Sequence, residues 1–158
     1  MRGELEFVHT RTIKLSEEVL NVKYNYAFEE KQKLMVAVAT LDNTIRVYHE
    51  DSLKLFLNLY GHSLPVLSVD ISDDNTLLVS GSADKLVKIW GLDFGDCHRS
   101  LLGHTDSIMK VQFQPKTHYF FSASKDKTIR YWNADNFTQI MILRGHIVSI
   151  DLSKCGPC

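Results

Sequence analysis

Apolar and polar positions along this chain fall into short runs bounded by turn residues. MVAVATLD at 35 to 42, LLVSGSAD at 77 to 84 and FFSASKD at 120 to 126 each pass from large apolar through small residues to an aspartate. An alternating run follows every one of them: Ile45-Arg46-Val47-Tyr48, Val87-Lys88-Ile89-Trp90 and Ile129-Arg130-Tyr131-Trp132. A third kind of run covers Val66 to Ile71 and Ile108 to Phe113, and a fourth covers Leu53 to Tyr60, His98 to Leu102 and Gln139 to Leu143. All are short, rich in β-branched and aromatic residues, and separated by Gly, Asp, Asn and Ser, so they predict strands and no helix.

These runs recur with a fixed period. Gly61-His62, Gly103-His104 and Gly145-His146 step by 42 residues, as do Asp42, Asp84 and Asp126, and as do Tyr48, Trp90 and Trp132. Each period therefore predicts four strands, with Gly-His early and an aromatic ending the third. One supersecondary unit of this size is a propeller blade, and on these motifs the chain resembles the WD-repeat family. The expected fold is all-β: a partial WD-repeat β-propeller of about three four-stranded antiparallel blades, its ring incomplete. A seven-bladed ring at this period needs about 300 residues, so the 158 present supply about half of one.

The divisions expected are an N-terminal segment at 1–10, a degenerate blade at 11–60, WD blades at 61–102 and 103–144, and the start of a truncated blade with a tail at 145–158. In the degenerate copy Val19 to Tyr24 align with Val66 to Ile71 only if five extra residues lie within Asn25 to Lys31. Lys14-Leu15 then stands in place of Gly-His, and Tyr48 in place of Trp. That blade is expected to have lost most of its polar signature. After His146 the chain leaves the pattern abruptly, which reads as a truncated or mis-spliced product. Open blade edges on a half-ring would expose unpaired strands, so the isolated chain is expected to be poorly soluble or oligomeric.

Family resemblance implies a structural hydrogen-bond chain in each full copy. The second would use His62, Ser80 or Ser82, Asp84 and Trp90; the third His104, Ser122 or Ser124, Asp126 and Trp132. The residue types suit such a chain, since Asp accepts, imidazole donates and accepts, a hydroxyl relays, and the indole N–H donates. A Ser-His-Asp set also invites a catalytic-triad reading, but that would put one nucleophile in every blade. The structural reading is preferred, and no enzymatic activity is expected. The resemblance also places Ser63, Leu64, Pro65, Lys85, Thr105, Asp106, Ser107 and Lys127 on a partner-binding face, where loops on a rigid scaffold carry contacts.

Composition narrows the remaining chemistry. With 44% hydrophobic and 23% charged residues the chain is of ordinary globular makeup, and its formal net charge of −1 gives no bulk attraction to nucleic acid. No apolar stretch reaches membrane-span length, and MRGELEFVHT is not a secretory signal. Three cysteines, Cys97, Cys155 and Cys158, fit a reducing compartment. Cys155-Gly-Pro-Cys158 has redox-loop spacing but no following helix to stabilise a thiolate, so an incidental tail is expected. No phosphate loop, paired carboxylates or metal-ligand cluster stands out, so no cofactor, metal or small-molecule substrate is expected. Arg46, Lys88 and Arg130, also spaced by 42, read as a solvated strand face, with a phosphate-meeting basic stripe as the rival.

A narrower resemblance rests on YGHSLPVLSVDIS, GSADKLVKIWGLDFGDCHRSL and THYFFSASKDKTIRYWNADNF. Across about residues 11 to 145 the chain is similar to the second propeller of the eukaryotic tandem-propeller subunits of the small-subunit processome. That implies a scaffold in precursor ribosomal RNA processing, located in the nucleolus. Its partners would be other processome proteins and the small nucleolar ribonucleoprotein, with RNA reached through them and no membrane. The alternative is a substrate adaptor of a ubiquitin ligase or another generic interaction scaffold.

Overall fold

A computed structural model describes residues 11–25 and 34–145. The segments 1–10 and 146–158 lie outside the described residues, and with them His146, Cys155, Cys158 and most of the expected insertion. Twelve strands follow in chain order: β1 (Val19–Tyr24), β2 (Met35–Thr40), β3 (Ile45–His49), β4 (Leu55–Leu59), β5 (Val66–Ile71), β6 (Leu77–Ser82), β7 (Val87–Gly91), β8 (Cys97–Leu101), β9 (Ile108–Phe113), β10 (Tyr119–Ser124), β11 (Thr128–Asn133) and β12 (Thr138–Arg144). They form three antiparallel four-stranded sheets, β1 to β4, β5 to β8 and β9 to β12, each strand pairing only with its sequence neighbours. The architecture is an all-β partial propeller with an open ring, and no helix occurs among the described residues.

Repetition extends into the backbone. Asn43, Lys85 and Lys127, between the second and third strand of each sheet, all take positive φ, at 68°, 72° and 65°. So do Leu53, Gly95 and Phe137 between the third and fourth. A register shift marks the aromatic position in every sheet, at Val47/Tyr48, Ile89/Trp90 and Tyr131/Trp132. Gly61 and Gly103, at φ 147° and 149°, occupy a region that side chains rarely adopt, which is why glycine precedes His62 and His104.

The core lies between the sheets. Ala37, Ala39, Ile45, Val47 and Leu59 of the first sheet share one buried cluster with Val66, Val69, Ile71, Leu78 and Trp90 of the second. Val79, Val87, Ile89 and Leu101 on the other side of the second sheet cluster with Ile108, Val111, Phe113, Phe120 and Trp132 of the third. The middle sheet is therefore covered on both faces, and every residue of β6 is buried. Each large apolar side chain so placed contributes about 1.5–3 kcal/mol. Strand β8 is exposed over its first four residues.

The inner strands touch from sheet to sheet and carry a polar seam. The Val111 amide donates to Ser68 Oγ at 3.1 Å, the Phe113 amide to Asp70 Oδ2 at 2.7 Å, and the Lys116 amide to Asp73 Oδ2 at 2.6 Å. Toward the first sheet, Lys23 Nζ pairs with Asp70 Oδ1 at 3.1 Å, and Asn21 Oδ1 accepts the Val69 amide at 3.3 Å. Asp70 thus contacts β1 and β9 from β5. Burial pushes its carboxyl above the ordinary carboxylate value, against the pull of Lys23 and the Phe113 amide.

Candidate functional site

The end of the sheets bearing the Gly-His segments gathers the residues singled out in the sequence. In the second sheet, His62 Nδ1 lies 2.7 Å from Asp84 Oδ2 and Nε2 lies 2.7 Å from Ser80 Oγ. Trp90 Nε1 donates to the same Ser80 Oγ at 2.8 Å. The third sheet repeats the arrangement: His104 Nδ1 to Asp126 at 2.8 Å, His104 Nε2 to Ser122 Oγ at 2.7 Å, and Trp132 Nε1 to Ser122 Oγ at 2.8 Å. A neutral imidazole satisfies every member if Nδ1–H donates to the carboxylate and the serine hydroxyl donates to Nε2, a tautomer fixed by the partners.

Strand register decides between the two serines of each copy. Leu78 lies opposite Trp90 and Ser80 opposite Lys88, so on the face that both serines share Ser80 is the diagonal neighbour of the indole and Ser82 lies one step further away. Ser82 does other work: its Oγ donates to the Leu64 and Pro65 carbonyls at 2.9 and 3.0 Å and accepts the Asp84 amide at 3.1 Å. Ser124 likewise bonds the Asp106 carbonyl at 2.9 Å and the Asp126 amide at 3.1 Å. Ser80 and Ser122 are fully buried, so neither hydroxyl is presented to a substrate as a nucleophile would be.

The aspartates also fix the loops that flank the network. Asp84 accepts the Ser63 amide at 3.1 Å and the Leu86 amide at 3.0 Å; Asp126 accepts the Thr105 amide at 3.1 Å and the Thr128 amide at 2.8 Å. Burial opposes ionisation of both, but the Thr128 hydroxyl on Asp126, the two histidines and these amides outweigh it and hold both carboxyls below the ordinary range. Burial holds the His104 imidazole down as well, against Asp126.

Of the residues expected on a partner-binding face, Ser63, Leu64, Lys85, Thr105, Asp106 and Lys127 are exposed, while Pro65 and Ser107 are half-buried. All lie on the two loop sets that Asp84 and Asp126 tie together. Tyr60 and Leu102, one residue before each glycine, are exposed beside them at 67% and 78%. Sequence reasoning passed over this pair, although the step of 42 from Tyr60 to Leu102 was available to it.

In the first sheet Val38 and Tyr48 stand at the positions of Ser80 and Trp90, and the polar contacts centre on Asp42, which accepts from Thr40 Oγ1 at 2.6 Å, Thr44 Oγ1 at 2.7 Å and Arg46 Nη2 at 2.7 Å. One expectation changes: the periodic basic residues do not form a solvated strand face. Arg46 folds onto Asp42, Lys88 is buried and donates to Ser100 Oγ at 2.6 Å, and Arg130 Nη2 donates to the Gly103 carbonyl at 2.8 Å.

Asp93, Asp96 and His98 meet at the β7–β8 turn with donor atoms within 4.8 Å of one another. All three are exposed, Asp96 already pairs with His98 at 3.3 Å, and Asp93 accepts the Phe94 amide at 3.0 Å. Such a set is common at surfaces without an ion.

The family described as the WDR3 second beta-propeller domain matches residues 1–156. WD repeat-containing protein 3 of Mus musculus is 55% identical over 62 residues, which cover 39% of this chain and 6% of that protein. U3 small nucleolar RNA-associated protein 12 of Saccharomyces cerevisiae (strain ATCC 204508 / S288c) is 47% identical over 66 residues, 42% of this chain and 6% of that protein. The solved structure of U3-55K superposes with a TM-score of 0.75 at 24% identity, covering 85% of this chain and 41% of that one, which shows the shared fold. The aligned stretches are thus a small part of the curated relatives' length.

Proposed function

This chain belongs to the WDR3 second β-propeller domain family, and from that premise we propose that it is a non-enzymatic scaffold of the small-subunit processome, working in precursor ribosomal RNA processing in the nucleolus. Identity of 47% over 66 residues to a protein named for its association with U3 small nucleolar RNA supports this reading. The partners are other processome proteins and the small nucleolar ribonucleoprotein. RNA is reached through them, in keeping with a net charge of −1 and with periodic cations folded onto their own sheets.

The absence of catalysis rests on the serines. Ser80 and Ser122 have the histidine and aspartate neighbours of a nucleophile, but each is buried and its oxygen is shared with an indole N–H. What the network does is hold the loops at 63 to 65, 84 to 86, 105 to 107 and 126 to 128 in fixed relation. A rigid loop set costs less entropy to dock than a mobile one.

Affinity purification of the tagged chain from cells tests this reading. Recovery of precursor ribosomal RNA together with processome proteins is expected, with the RNA lost when proteins are stripped from the complex. Recovery of a ubiquitin-ligase core in their place would overturn the assignment, and clean labelling of Ser80 or Ser122 by an acylating probe would overturn its non-enzymatic part.

A further inference from the structure

His118 lies in the β9–β10 loop at the junction of the second and third sheets, away from the Gly-His end. Its Nε2 is 2.9 Å from Asp74 Oδ2 on the β5–β6 loop of the second sheet. Its Nδ1 is 2.6 Å from Asp135 Oδ1 on the β11–β12 loop of its own sheet. A carboxylate only accepts, and a neutral imidazole carries a single N–H, so both contacts coexist only for the imidazolium. His62 and His104 differ in kind, since one of their two partners is a hydroxyl that can donate.

We propose that His118 is a proton-operated clasp between the second and third sheets, closed as the imidazolium and released on the Asp74 side when the proton leaves. Asp74 is anchored independently by Ser72 Oγ at 2.6 Å and Thr76 Oγ1 at 2.8 Å, so its oxygen belongs firmly to the second sheet. His118 is tied to the β11–β12 loop by its own carbonyl, which accepts the Ala134 amide at 2.9 Å. Neutral His118 therefore keeps its proton on Nδ1 for Asp135, and the inter-sheet contact is the one that is lost.

The clasp spans a cleft of about 380 Å³ whose other charged or titratable lining groups are Asp73, Lys116 and Tyr119. Three carboxylates against one lysine favour the cation. Burial works against the imidazolium, yet Asp135 and Asp74 outweigh it and raise the His118 pKa above the ordinary 6.5. Hydrogen bonds from Ser72, His118 and Thr76 outweigh the burial of Asp74 and bring its carboxyl down to about 2, so it stays an acceptor across the neutral range. The Lys116 amide bond to Asp73, 2.6 Å long, crosses the same junction and reports on its closure.

Nitrogen-detected NMR of the imidazoles in the full chain tests this. His118 should show two protonated nitrogens up to a midpoint above 6.5, and Asp74→Asn and Asp135→Asn should each lower that midpoint. Amide exchange at Lys116, corrected for the intrinsic dependence on hydroxide, should quicken as His118 deprotonates and lose this pH response in His118→Gln. A midpoint at or below 6.5, a midpoint unmoved by either asparagine, or exchange at Lys116 that ignores the titration would overturn the proposal.

Discussion

A Cβ built on Gly81 would sit 2.5 Å from Ile108 Cγ2 and 3.0 Å from Val111 Cγ1, so the second sheet meets the third where only a hydrogen fits. One repeat earlier the equivalent positions hold Ala39 and Val66, both buried in a single cluster. The smaller residue faces the larger partner in one interface, and the reverse holds in the other. Gly81→Ala should accordingly destabilise by about 1–3 kcal/mol through overpacking. Ile108→Ala removes the Cγ2 methyl that the added Cβ would strike, so the Gly81→Ala penalty should shrink in that background. Urea denaturation of the four-member cycle measures this, and an equal penalty in both backgrounds would refute it.

Ser80 Oγ is the shared partner of His62 Nε2 and Trp90 Nε1. Ser80→Ala leaves a buried indole N–H unpaired and should cost about 1–3 kcal/mol. Trp90→Phe removes the orphaned donor, so the double variant should be less destabilised than the two single losses added together. Strict additivity in denaturant midpoints would mean that the hydroxyl and the indole do not act as one unit.

The period of 42 was legible because the same chemical demand arises in each blade: a turn that needs Asp, a buried relay that needs His and Trp, a backbone turn that needs Gly61 and Gly103. The choice between Ser80 and Ser82 was not, since alternation puts both on one face and only the pairing of Leu78 with Trp90 separates them. Arg46, Lys88 and Arg130 alternate with core residues as solvent-facing positions would. Sheets stacked face to face bury both sides, however, so that alternation misleads here. The inter-sheet pairs Asp70–Phe113 and Asp74–His118 join residues 43 and 44 apart in different blades. No local pattern pairs them, although a charged residue amid the apolar run VLSVDI marks Asp70 as unusual.

Two histidines of the third sheet should push stability in opposite directions with pH. His104 is held below 6.5 in the fold, so the unfolded chain takes up the proton first; its contribution is present above 6.5 and is lost as pH falls toward the folded value. His118 is held above 6.5, so its contribution is complete below 6.5 and is lost as pH rises through the folded value. Asp84 and Asp126, held below 3.8, add stability that is present above 3.8 and lost as pH falls through their folded values. Denaturant midpoints between about pH 5 and 9 should fall away on both sides. His118→Gln should flatten the alkaline limb alone, and a wild-type alkaline limb that survives this change unaltered would contradict the assignment.

Asp70 should behave as a junction of three blades. Its carboxylate receives the Phe113 amide from β9, its neighbour Ile71 amide at 2.9 Å and the Lys23 ammonium from β1. Asp70→Ala strips acceptors from two buried amides at once and should cost about 1–3 kcal/mol. Asp70→Asn keeps one oxygen but turns an NH2 toward either Lys23 or Phe113, donor against donor, so it should recover only part of the loss. The loss should also travel across sheets: amide exchange should quicken at Phe113 in the third sheet and at Val69 in the second, which Asn21 of the first sheet holds. Ser82→Ala, whose partners are the local carbonyls of Leu64 and Pro65, should leave both amides protected. Unchanged protection at Phe113 in Asp70→Ala would show that packing alone joins the sheets.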